Sequence, residues 1–95
     1  MNSEWSFPDP GNVAVFTTSD IVSGKAPILR VTHDKEDGAW QFHSGTDAKV
    51  SDAKMIALEE IVRMDPSLCQ LADLPLGEIA VRDDPTKPWR RSTFF

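Results

Sequence analysis

Apolar positions along the chain fall into short runs with two periods. Val13–Thr18 reads Val-Ala-Val-Phe-Thr-Thr, a β-branched and aromatic run that suits a strand. Ile28–Asp34 and Ala39–Ser44 alternate apolar with polar on either side of Lys35-Glu36-Asp37-Gly38. That is the pattern of a hairpin closed by a four-residue loop, with Gly38 in the left-handed position. The register sets His33 opposite Trp40, Val31 opposite Phe42 and Arg30 opposite His43. Leu29, Val31, Trp40 and Phe42 then share one face, and Arg30, Thr32, Gln41 and His43 the other. A slip of one residue would mix the two sets, so burial of the apolar set fixes the register.

The remaining chain divides at its turn residues. Residues 1–12, with Pro8, Pro10 and Gly11, read as an irregular lead-in. Ser19 and Asp20 suit the cap of a short helical turn that Gly24 ends. From Lys54 two readings stand. Met55, Leu58, Ile61 and Val62 follow helical spacing, with Ser51 as a cap. Alternatively Lys54–Ala57 is a strand and a helix starts near Leu58, which places Glu59 and Glu60 in its first turn and Arg63 near its end. The match to the helix dipole favours strand then helix. Asp65-Pro66 opens a second short helix, Asp as cap and Pro as first helical residue, running to about Leu74 and burying Leu68 and Leu71. Glu78–Arg82 alternates as a last strand, and Pro88–Phe95 reads as a tail. The expected architecture is one α+β domain over 1–95. A small antiparallel sheet of four or five strands packs one face on one or two short helices.

Composition narrows the class. The chain has 95 residues, 40% hydrophobic and 26% charged, with a net charge of −5. This suits a small globular protein with one modest core and disfavours binding to phosphate backbones by bulk charge. The start, Met-Asn-Ser-Glu-Trp-Ser-Phe-Pro, lacks the basic and apolar regions of a secretory signal, no apolar run approaches a membrane span, and Cys69 is a single cysteine. A reducing, cytoplasmic setting is the expectation. Lys87, Arg90 and Arg91 make the tail basic against an acidic body. The tail is therefore expected to fold back on that body, or else to serve as an adhesive segment with Trp89 and Phe94 as anchors.

Chemistry-bearing motifs are sparse. The five glycines are isolated, so no Gly-rich phosphate loop is present. His33 and His43 fall on opposite faces of the hairpin and cannot share an ion, and a structural zinc site needs about four ligands. No metal or cofactor is expected. His33 is expected to pack on Trp40 and His43 to be solvated. Asp34, Glu36, Asp37 and Gly38 look like part of a calcium loop. With Gly38 at the sixth position, however, His33, Lys35 and Ser44 occupy ligand positions, and the loop fails. Cys69 lacks a catalytic-cysteine signature, and no catalytic residue is assigned.

Several features resemble a family of small uncharacterised bacterial domains, some grouped with immunity proteins of polymorphic-toxin systems. They are Ile21–Lys25, Pro27-Ile28-Leu29, Asp37–Phe42 with Ser44-Gly45, Leu58–Ile61, Asp65–Leu68, Leu74–Gly77, Arg82 and Pro88-Trp89. The resemblance covers about residues 13–90 and rests on turns, caps and core aromatics. It implies an α+β scaffold and a protein that binds a partner without catalysis. An immunity protein would cover a toxin's active site, and an acidic chain suits a basic nuclease. The alternative is a small-ligand-binding protein or small enzyme, with a pocket around Arg30, His43 or Arg82. The candidate interaction surface is Arg30, Thr32, Gln41 and His43, bordered by Trp89 and Arg90.

Overall fold

Six strands, Ala14–Thr18 (β1), Arg30–His33 (β2), Trp40–His43 (β3), Ala53–Ala57 (β4), Glu78–Val81 (β5) and Arg90–Thr93 (β6), form one sheet in the order β4-β1-β3-β2-β5-β6. The structure, a computed structural model, describes residues 5–45 and 52–93. The strands pair antiparallel except β1 with β3, which run parallel with Phe16 beside Gln41. The sheet is therefore mixed and larger than the four or five antiparallel strands expected. The sixth strand is made by the supposed tail. The parallel pair is a non-local consequence of topology: β1 and β2 leave a slot between them, and the hairpin's second strand fills it.

The hairpin holds the predicted register, from Arg30 opposite His43 to His33 opposite Trp40. Its loop closes through a Gly38 N–H bond to the Asp34 carbonyl at 2.9 Å, and Gly38 has φ of 72°. A side chain there would be strained.

One face of the sheet is covered by two short helices, Ser19–Val22 (α1) and Leu58–Met64 (α2), and by a 3₁₀ helix, Pro66–Leu71. Val15, Val31, Trp40, Phe42 and Ala80 reach up from the strands to meet Ile21, Leu58, Ile61, Leu68 and Leu71. Lys54–Ala57 is indeed strand, with the helix starting at Leu58. The alternative cap, Ser51, lies outside the described residues. No side chain caps α2. Instead the Leu58 and Glu59 amides donate to the Val13 and Gly11 carbonyls, both at 2.8 Å. This needs a close approach at Gly11, where a Cβ would come within 3.2 Å of the Glu59 Cβ. The lead-in also contributes Phe7, which is buried edge-on against Trp40.

Asp65 caps the second helical segment as predicted. Its Oδ1 accepts from the Ser67 amide at 3.1 Å and Pro66 is the first residue. The segment is a 3₁₀ helix and ends at Leu71, short of Leu74. At α1, Asp20 accepts from the Ile21 amide and the Thr18 hydroxyl, and these bonds hold its carboxyl below the usual range. The Gly24 and Lys25 amides close the far end on the Ile21 and Asp20 carbonyls. These two bonds make the Schellman pattern of a helix stop.

Candidate functional site: the uncovered sheet face

Alternation along each strand sends its other side chains to the face that no helix covers among the described residues. Two cross-strand rows follow from the registers. The first runs Met55, Phe16, Gln41, Thr32, Ile79 and Ser92 across the whole sheet. The second runs His43, Arg30, Val81 and Arg90. Arg30, Thr32, Gln41, His43 and Arg90, all named from the sequence, therefore do share one surface.

They do not contribute alike. Arg30 and Arg90 are exposed, and Arg90 reaches Asp83 at 3.2 Å in an open ion pair that solvent screens. Thr32 is only 3% exposed, closed in between the Gln41 and Ile79 strands, so it is part of the floor and not a contact. Gln41 and His43 form a hydrogen-bonded chain with Asp34. The Gln41 amide nitrogen donates to Asp34 Oδ2 at 2.7 Å, which turns its oxygen toward His43 Nε2 at 3.1 Å. A carboxamide oxygen only accepts, so Nε2 carries the proton. His43 is thus half-buried and anchored, not solvated as expected.

Burial lowers the His43 pKa, the Arg30 charge lowers it further, and Asp34 opposes them. The shift favours the neutral ring, in which Nδ1 is the acceptor because Nε2 carries the proton, and Arg30 is its cross-strand partner. The face therefore offers an acceptor, two cations and an apolar strip. In that strip Met55 is 60% and Phe16 39% exposed.

Trp89 is not at the border of this face. It packs against the core on the helical side, beneath the Arg82 guanidinium, which lies 4.2 Å above its ring. Arg82 itself is a buried node: it donates to the Ile28 carbonyl at 3.0 Å, Ser67 Oγ at 3.0 Å and Asp65 Oδ2 at 2.6 Å. Those three bonds tie the β1–β2 connection and the α2–3₁₀ junction to the end of β5. Its donors are taken by these partners, and the pocket of about 330 Å³ beside it is lined by Ile28, Asp65 and Pro85 and not by Arg82. His33 is also structural. It stacks on Trp40 at 3.9 Å between ring centres, and its Nδ1 donates to the Leu74 carbonyl at 2.7 Å.

Phe16, Met55 and Asp34 escaped the sequence reading. Phe16 was legible, since it alternates with the buried Val15 and Thr17. Met55 was hidden by the strand-or-helix ambiguity, and Asp34 by its place at the hairpin turn. Phe94, offered as an anchor, lies outside the described residues.

Two further cavities lie on the helical side of the molecule. One of about 510 Å³ is bounded by Phe7, Cys69 and Asp73. Another of about 330 Å³ is bounded by Val22, Ile56 and Met64. Among the described residues no group of three His, Cys, Asp or Glu side chains is placed to hold a metal ion, and no helix is long and apolar enough to cross a membrane. No family model matches this chain, and neither a curated protein nor a solved structure matches it.

Proposed function

We propose that this protein is a non-catalytic protein-binding module whose contact surface is the uncovered face of its sheet. The observation that carries this reading is the exposure of Phe16 and Met55 in one cross-strand row, next to a row holding His43, Arg30 and Arg90. Such a combination of apolar centre and polar surround is how protein interfaces are built. The partner it fits is a folded protein that lays apolar side chains over Phe16 and Met55. The same partner presents a carboxylate to Arg30 and Arg90 and a donor to His43 Nδ1.

An immunity-like role, implied by the resemblance to small bacterial domains, takes the same form: a toxin covered rather than chemically altered. The charge argument shifts, however. The whole chain is acidic, but this face carries cations, so the matching surface is acidic at the point of contact and not basic. The small-ligand alternative would require a concave site around Arg30, His43 or Arg82. The first two lie on an open sheet surface, and Arg82 is occupied.

The test is capture from the native host at low salt, with wild type and an Arg30→Glu/His43→Ala variant compared. A stoichiometric protein partner held by wild type and lost by the variant, with melting unchanged, is the expected result. A partner retained equally by both would place the contact elsewhere.

A further inference from the structure

Strand β4 is an edge of the sheet, and both of its flanks are apolar. On the uncovered side Met55 stands beside Phe16. On the helical side Ile56 joins Val22 and Met64 in a groove of about 330 Å³ that Glu60 and Arg63 also line. Met64 is 45% exposed there. Edge strands of this kind are templates for a further strand unless something blocks them.

The free backbone groups can be assigned. The Leu58 amide bonds to the Val13 carbonyl, and Ile56 and Lys54 stand opposite Val15 and Thr17. Antiparallel ladders alternate, so the backbone groups of Ala53, Met55 and Ala57 point outward. The Ala57 carbonyl accepts the first bond of α2. Met55 and Ala53 therefore each offer both groups, and Ala57 its N–H.

We propose that β4 pairs antiparallel with β4 of a second copy of this chain, about a two-fold axis at Met55. In that register Met55 exchanges both bonds with its copy, and each Ala57 N–H donates to the Ala53 carbonyl of the other. Four bonds form; the register shifted by two, about Lys54, forms as many but sets the two Lys54 side chains directly opposite each other, where like charge opposes pairing. On the uncovered side the two methionines meet between the two Phe16 rings. On the helical side Lys54 of each copy stands opposite Ile56 of the other and reaches Glu60, which lines the same groove one helical turn along.

Charge complementarity decides for a copy over an arbitrary strand. An edge lysine normally repels added strands. Lys54, Glu60 and Arg63 hold no ion pair among the described residues. Antiparallel pairing about Met55 brings Lys54 to Glu60 of the other copy in both directions. Self-pairing thus converts the blocking charge into a matching one. The resulting sheet is continuous across both copies, and its uncovered faces join.

Sedimentation equilibrium of the full chain, from about 1 µM to about 1 mM, covers the affinities of interfaces below standard size. Reversible dimerisation is expected. Lys54→Glu and Glu60→Lys should each weaken it at least tenfold, and the double variant should recover it. Both side chains are exposed, so the variants should fold, which circular dichroism checks. Met55→Arg, which sets like charges on the axis, should be monomeric. A wild type that stays monomeric throughout would overturn the proposal. So would single variants that associate like wild type, or a double variant that does not recover.

Discussion

Two arginines show how differently the two sides of this sheet are used. Arg82 leaves the end of β5 on the helical side, with a side chain 2% exposed and its donors spent on Ile28, Ser67 and Asp65. Arg30 stands on the opposite face in a row with His43 and Arg90, exposed and without an ion pair among the described residues. The first cation replaces water by fixed partners and joins three connections. The second keeps its water and its freedom to meet another molecule. Since a buried charge stripped of its partner is costly while a surface charge is nearly free, the two sides should respond to substitution in opposite ways.

The largest effect is expected at Arg82. Arg82→Ala strands the Asp65 carboxylate and removes the cover over Trp89. It should cost about 3 kcal/mol in denaturant unfolding, the low end for a broken buried pair because Asp65 is partly exposed. Asp65→Ala should cost about 2–3 kcal/mol: the cap contributes about 1 kcal/mol, and Arg82, which keeps the Ile28 carbonyl and Ser67 Oγ, loses one charged hydrogen bond worth about 1.5 kcal/mol. Asp65→Asn keeps a capping oxygen and should cost less than Asp65→Ala. Equal losses for the two would show that the ion pair carries everything and the cap nothing.

A smaller effect concerns pH. The native His43 binds its proton more weakly than the unfolded histidine, whose ordinary pKa is 6.5. As pH falls, the unfolded chain protonates first and is favoured. The His43 contribution is therefore fully present above that value and is lost as pH drops through the lower native one. The slope of stability against pH in this window should flatten in His43→Gln. The Asp20 and Asp73 carboxyls, both lowered by hydrogen bonds from Thr18 and Arg91, act in the same direction but at more acid pH. An unchanged slope in His43→Gln would mean that burial and Arg30 do not lower the ring's pKa.

Arg30→Ala and Arg90→Ala should be the quietest substitutions, each within about 0.5 kcal/mol of wild type. A loss above 1 kcal/mol at either would mean that the uncovered face carries structure.

Local signals made the covered side readable. The alternation of Leu29 to Phe42 and the glycine at 38 fix the hairpin, and Asp65-Pro66 announces its own cap. What escaped the sequence is non-local. No local pattern says that β3 lies beside β1 in parallel, because that depends on the path through α1. Nor does composition say that Arg90–Thr93, exposed throughout, pairs with β5 as an edge strand. Alternation placed Arg30, Gln41 and His43 on one face. It could not place Trp89, whose side chain is fixed by Arg82 on the other side of the molecule. It also gave Thr32 the same standing as its neighbours, because exposure depends on the side chains of adjacent strands.

The central claim is that the uncovered face serves contact and not stability. The most direct measurement is to determine the unfolding free energy and the partner affinity of Arg30→Glu/Arg90→Glu on the same preparation. Stability within about 1 kcal/mol of wild type, together with loss of the partner, is the predicted result. Retained binding, or unfolding that moves as far as it does in Arg82→Ala, would contradict it.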